Sequence, residues 1–144
     1  MPHEVVYTVQ STMVDTFGHL NNAAYLELFE WARWAWARAS GMDLEPMMAE
    51  QRIGPAILHI DLSFRRELRM HEAVTIRTWF DELSGLKGYI RQDMVKEDGQ
   101  LGATMRVTFI MFHLDKRRAV KVPAEMKAAF EEDAAWREHV GAQN

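Results

Sequence analysis

Asp15-Thr16-Phe17-Gly18-His19-Leu20-Asn21-Asn22-Ala23-Ala24-Tyr25 is the hinge between two kinds of sequence periodicity. Upstream of it, Val5, Val6, Tyr7, Thr8 and Val9 have β-type composition and predict a strand over residues 5–12. Downstream, Tyr25, Leu28, Phe29, Ala32, Ala35, Trp36 and Ala39 recur at i, i+3, i+4 and i+7, which predicts a helix over residues 22–40. Asn21 and Asn22 are good N-cap types, and Gly41 suits the position just past the helix end. Glu27, Glu30, Arg33 and Arg38 fall off the apolar stripe, and so do Trp31 and Trp34. Aromatics outside the stripe imply that the helix is covered on more than one side.

After Gly54-Pro55 the period changes to two. Ala56, Leu58, Ile60, Leu62 and Phe64 alternate with Ile57, His59, Asp61, Ser63 and Arg65, as in a half-buried strand. Val74, Ile76, Thr78 and Phe80 mark a second such strand. Ser84-Gly85 turns the chain into a third over residues 87–96, and Asp98-Gly99 is a hairpin signal before a fourth over residues 101–114. That fourth strand places Ala103, Met105, Val107, Phe109 and Met111 on one face. A charged turn, a short strand over residues 119–122 and Pro123, suited to a helix's first turn, close the pattern with a short C-terminal helix. No helix separates these strands, which argues against a parallel sheet. The reading is α+β: one domain over residues 1–144, an antiparallel sheet packed on one long helix.

Bulk properties narrow the function. A chain of 144 residues with 48% hydrophobic residues can bury a substantial core. A net charge of -4, with basic residues clustered no further than Arg65-Arg66 and Arg117-Arg118, excludes the concentrated basic face of a nucleic-acid binder. The absence of cysteine excludes disulfides, thiolate metal sites and a Cys nucleophile. The N-terminal residues lack the apolar stretch of a signal peptide, and no run approaches a membrane span, so a cytoplasmic protein is expected.

Common catalytic patterns are missing. Ser84 lies in a plain turn rather than a nucleophile elbow, and there is no glycine-rich phosphate loop. The six histidines show no metal-ligand spacing, and His59 and His113 read as hydrogen-bonded strand residues, so no metal is expected. What remains is the turn before the helix. A helix N-terminus offers N–H groups without intrahelical partners and a partial positive charge, suited to a developing oxyanion. Asp15 and His19 are titratable groups in that same turn. On these grounds alone, an Asp- and Asn-rich turn before a helix is most often just a turn and a cap.

The string from Asp15 to Tyr25, with Glu30 and Arg33 after it, resembles the signature of the 4-hydroxybenzoyl-CoA thioesterase-like hotdog family, roughly D-x-x-G-H-x-N-N-x-x-Y and then E-x-x-R. The order of elements resembles that family from Val5 to about Val122. The resemblance implies a hotdog fold and hydrolysis of an acyl-CoA thioester without a cofactor, coenzyme A being part of the substrate. It implies Asp15 as the catalytic carboxylate, either nucleophile or general base, and Asn22 as the residue whose backbone N–H points at the thioester oxygen. Gly18 would let the backbone approach substrate, and His19 would orient Asp15, line the pocket or stabilise the turn. Tyr25 reads as packing, and Glu30 with Arg33 as an ion pair on one helix face. Phe17 and the tryptophans could line an acyl pocket, and Arg65, Arg66, Arg69 and Lys87 are candidates for the phosphates of coenzyme A. Met13 stands where many members have a second Asp, and residues 66–72 replace the family's usual Pro and Gly-Asp loop.

The resemblance further implies a homodimer joined through sheet edges with the long helices close together, and such dimers often pair into tetramers. Trp31 and Trp34 would suit that interface. Two other activities compete. A hydratase needs a His paired with a carboxylate in another arrangement, which is absent here. A non-catalytic acyl-CoA binding or sensing protein would more naturally lack the aspartate that this chain retains as Asp15.

Overall fold

The structure is a computed structural model that describes residues 2–143. Its sheet runs in the order β1 (His3–Thr8), β3 (Ala73–Ser84), β4 (Lys87–Lys96), β5 (Leu101–His113), β2 (Ile53–Phe64), with every pairing antiparallel. A short β6 (Arg118–Val120) pairs with the end of β5. The long helix α1 (Asn22–Ala39) lies on one face. A short α2 (Leu44–Pro46) continues into a single π turn, Met47–Gln51. The C-terminal helix α3 spans Ala124–Gln143 and is longer than α1, not short as the sequence suggested. The first strand is shorter than expected, because the chain leaves β3 at the Thr8–Ala73 pair and enters a 3-10 turn, Ser11–Met13.

The core follows from matched periods. Val74, Ile76, Thr78 and Phe80 of β3, Ile90, Gln92 and Met94 of β4, and Ala103 to Met111 at alternate positions of β5 are buried on one face. Against them α1 turns Leu28, Phe29, Ala32 and Trp36. Trp36 meets Phe80 edge-on with centroids 4.7 Å apart. Burying a side chain such as Phe29 contributes about 1.5–3 kcal/mol. Three polar groups inside this core satisfy one another. Gln92 Nε2 donates to Phe29 O at 2.9 Å and to Thr78 Oγ1 at 3.0 Å, while Gln92 Oε1 accepts from Arg33 Nη1 at 2.9 Å. Arg33 and Glu30 therefore do not form the close ion pair read from their spacing. Arg33 turns in to Gln92, and Glu30, which stays exposed, acts on it only through charge.

The β2 strand departs from its simple alternation. The register slips between Ile57 and His59, so Leu58 is an extra residue opposite β5. Phe64, Leu62 and Ile60 pair with the buried Ala103, Met105 and Val107, and past the bulge Ile57 and Pro55 pair with the buried Phe109 and Met111. Paired residues share a face. The inner face of β2 is thus Phe64, Leu62, Ile60, Ile57 and Pro55, not the unbroken even-numbered set from Ala56.

At the other side of the sheet, β1 reaches only as far as Thr78 of β3. Beyond it, α3 takes over the exposed edge. Asp133 Oδ2 accepts from Phe80 N at 2.9 Å, and Arg137 Nη1 donates to Phe80 O and, at 2.7 Å, to Asp81 O. Two side chains thereby do for that edge what a further strand would do.

Candidate active site

The turn before α1 is shaped largely by its own main chain. Asp15 N–H donates to His19 O at 2.8 Å, and Gly18 N–H donates to Asp15 O at 3.0 Å. Gly18 sits at φ +78, a left-handed conformation that favours glycine. Val14 bridges Leu20 and His19 bridges Arg69. Leu20 N–H donates to Leu68 O at 2.7 Å. Asn21 is the N-cap: its Oδ1 accepts from Ala24 N at 2.9 Å, and both its backbone N–H and Nδ2 reach Met13 O, at 2.8 and 2.9 Å. That leaves Asn22 and Ala23, in the first turn, as the N–H groups without an intrahelical acceptor. The sequence offered Asn21 and Asn22 as caps; the structure selects the first.

Asp15 is exposed, and its carboxylate is held at one oxygen. Oδ1 accepts from Phe17 N at 2.9 Å and from His19 N at 3.2 Å, as in an Asx turn. His19 Nε2 lies 2.8 Å from Glu67 Oε2. Phe17 stands at the tip of the turn, 82% exposed. Tyr25 is buried in the core, in keeping with its place on the apolar stripe. Its hydroxyl donates to Arg66 O at 3.4 Å, and its ring meets Phe64 edge-on at 5.0 Å. Burial pushes the Tyr25 phenol up, and the carboxylates of Glu67, Glu72 and Asp15 add to this against an opposing backbone hydrogen bond at Leu68.

Residues 66–72, where the chain departs from the family pattern, are what latch this turn. Leu68 is fully buried, Glu67 holds His19, and Lys96 Nζ donates to Glu67 O at 3.0 Å. Nothing in the local sequence pairs His19 with Glu67, since the contact crosses between loops. Arg65, Arg66 and Arg69 gather at this end of the sheet; Arg65 and Arg66 N–H both donate to Gly102 O, at 2.9 and 3.0 Å. Lys87 does not join them. It opens β4 opposite Ser84 and Ile110, and Ile110 in turn faces Ala56, which places it at the far end of the sheet. His113, read from the sequence as a hydrogen-bonded strand residue, ends β5, and its Nδ1 accepts from Asp115 N at 3.3 Å and Lys116 N at 3.1 Å. Among the described residues no three His, Asp or Glu side chains gather as metal ligands.

Between α1 and β2 the core is incompletely covered. Ile57, Ile60 and Phe64 point to the inner face yet are 45%, 38% and 51% exposed, and Leu26 of α1 is exposed as well. Further along α1 this flank opens into a cavity of about 210 Å3 walled by Trp34, Trp36, Met42, Ile57 and Phe109, with Arg33 and Glu30 among the lining residues. The Tyr25–Phe64 contact lies near the Asp15 turn, and Ala37 and Pro55 lie at the cavity. The apolar inner face of β2, from Phe64 to Pro55, spans the distance between them. Trp31, 43% exposed, packs on Tyr7, whereas Trp34 is half-buried in the cavity wall, so the two tryptophans do not share one surface role.

Together the antiparallel sheet and the long helix across it make this a hotdog fold. The chain belongs to the thioesterase-like superfamily, whose family model matches residues 9–130. It is similar to the long-chain acyl-CoA thioesterase FadM of Escherichia coli, with 29% identity over 125 residues, covering 86% of this chain and 93% of that one. It is also similar to the acyl-CoA thioesterase YbgC of Haemophilus influenzae, with 25% identity, covering 81% of this chain and 85% of that one. In fold it resembles a DHNA-CoA thioesterase from Staphylococcus aureus, with TM-score 0.84 and 18% identity, covering 96% of this chain and 94% of that one.

Proposed function

We propose that this protein hydrolyses acyl-CoA thioesters to the free acid and coenzyme A, with Asp15 as the reacting carboxylate. The observation that carries this reading is the placement of Asp15: an exposed carboxylate, fixed through one oxygen by Phe17 and His19 N–H, next to a helix start whose first N–H groups lack intrahelical partners. In one route an Asp15 oxygen attacks the thioester carbon, the C–S bond breaks, coenzyme A leaves as thiolate, and water cleaves the resulting anhydride. In the other, Asp15 takes a proton from a water that attacks the same carbon. In both, Asn22 N–H faces the carbonyl oxygen as it gains charge, a contribution of about 10²–10³-fold for one such donor. His19, held by Glu67, keeps the turn in position, and Gly18 leaves room for the backbone to approach. Phe17 forms the rim, and Arg65 with its neighbours meets the phosphates. Lys87 enters this reading only as a residue of a second copy.

The relatives FadM and YbgC, both acyl-CoA thioesterases, support the substrate class. The working form is a homodimer in the cytoplasm, each copy one domain, joined along the open β2 edge. That edge carries the exposed Ile57, Leu58 and Ile60, a surface that sheet proteins cover. No helix among the described residues is long and apolar enough to cross a membrane. The test is free-thiol release from short, medium, long and aryl acyl-CoAs by the wild type and Asp15→Asn. Turnover that the variant loses by about 10²-fold or more supports hydrolysis. Binding without turnover in the wild type would instead make the protein an acyl-CoA sensor.

A further inference from the structure

We propose that the cavity between α1 and β2 selects acyl chains that carry a hydroxyl near their distal end, with Arg33 as the hydrogen-bond donor to it and Glu30 as the acceptor from it. The proposal rests on the thioesterase reading above and extends it to the far end of the substrate.

Of the residues that line the cavity, only these two carry charge; the rest are aliphatic, aromatic or methionine side chains. Arg33 Nη1 donates to Gln92 Oε1 at 2.9 Å and lies 3.4 Å from Met105 Sδ, both neutral partners. Its Nε and Nη2 make no hydrogen bond among the described residues, although the side chain lines the cavity. A guanidinium stays charged and brings five N–H donors, so this one enters an apolar space with donors to spare. Burial draws its pKa below the usual arginine range, opposed by the charge of Glu30. Glu30 lines the same cavity without closing onto Arg33. A hydroxyl both donates and accepts. Placed between the two it satisfies each, whereas a hydrocarbon end strips water from the guanidinium and returns nothing. A distal carboxylate would suit Arg33 but face Glu30.

The helix sets the length. Asn22, Leu26, Glu30, Arg33 and Ala37 follow at i, i+4, i+8, i+11 and i+15 along one flank. At 1.5 Å per residue, Arg33 lies roughly 16 Å along the axis from Asn22. An extended chain covers about 3.3–3.6 Å in three bonds, so an acyl chain needs on the order of a dozen bonds to span it. Over the same span the inner face of β2 offers Phe64, Ile60 and Ile57, which are exposed, as is Leu26 of α1.

The experiment compares kcat/KM for 12-hydroxydodecanoyl-CoA and dodecanoyl-CoA in the wild type, Glu30→Ala and Arg33→Met, with a melting curve for each. The wild type is expected to favour the hydroxylated chain about tenfold or more, the behaviour of a site built to hydrogen-bond its substrate. In both variants that ratio should fall toward one while dodecanoyl-CoA is still cleaved. Should Arg33→Met fail to fold, Glu30→Ala decides, since Glu30 is exposed and lies on the helix surface. A wild-type ratio of one or below, or a ratio unchanged in Glu30→Ala, overturns the selection and leaves the hydrolysis intact. Absence of thiol release from every ester tried overturns the hydrolysis itself, and the selection with it.

Discussion

Gln92 Nε2 lies 2.9 Å from Phe29 O, so one buried strand side chain ties the central sheet to the middle of the long helix. The same Nε2 donates to Thr78 Oγ1, and Oε1 accepts from Arg33. Gln92→Leu keeps the volume but takes the acceptor from Arg33 Nη1 and the donor from the buried Thr78 Oγ1, while Phe29 O keeps its bond within the helix. Each neutral group left unsatisfied costs about 1–3 kcal/mol, and a charged one costs more. The variant is expected to lose at least that much in urea unfolding, with an unchanged m-value. A loss under about 0.5 kcal/mol, the range of ordinary surface changes, would show the network to be dispensable.

Asp133 gives a pH dependence of defined sign. Burial pushes its carboxyl up, beyond the opposing effects of the Phe80 N–H and the Arg137 charge, while Glu132 adds to the rise. Between the unfolded carboxylate value of about 3.9 and the raised folded value, the folded state holds more protons than the unfolded one. Stability therefore falls as pH rises through that window and is flat above it. Asp133→Asn keeps an oxygen for Phe80 N–H and removes the titration. Its melting temperature minus that of the wild type should climb across the same window; a flat difference refutes the assignment.

Asp15→Asn should separate chemistry from folding. An Asn side-chain oxygen still accepts from Phe17 and His19 N–H, so the turn keeps its shape. Expected are a melting temperature within a degree or so of wild type and a fall in kcat of about 10²-fold or more, the lower range for a positioned base. Full activity in the variant would move the reacting group elsewhere.

Leu58, the bulged residue on the open edge, is 51% exposed. Sedimentation should give a dimer at low micromolar concentration for the wild type, and Leu58→Glu should shift it toward monomer by placing a charge on that edge. A wild-type monomer at that concentration would contradict the assembly.

How much of this could be read beforehand depended on the range of each contact. The α1 helix was legible because its stripe, the Asn21 cap and Gly41 are all local. Strands β3 and β5 were legible from strict alternation. The side of β2 that faces the core was not, because a bulge at Leu58 is defined only against β5, and no single-strand pattern marks it. Arg33 was assigned to Glu30, three residues away, while its true partner Gln92 lies 59 residues on. The signal was present as a polar residue at an inward position between Ile90 and Met94. The Asp15 turn was found by its motif, yet the His19–Glu67 contact that steadies it runs through a loop that departs from that motif.

The bonds that shape residues 13–21 run mainly to main-chain atoms: Met13 O, Asp15 O, His19 O and Leu68 O. Every amino acid brings those atoms. Mutation can therefore replace Thr16, Phe17, Leu20 or Leu68 without removing a hydrogen-bond partner from the turn, whereas Gly18 and Asn21, whose own conformation or side chain is used, have few substitutes. An architecture written in the path of the chain lets the surroundings of the carboxylate drift toward new substrates while the carboxylate stays where it is.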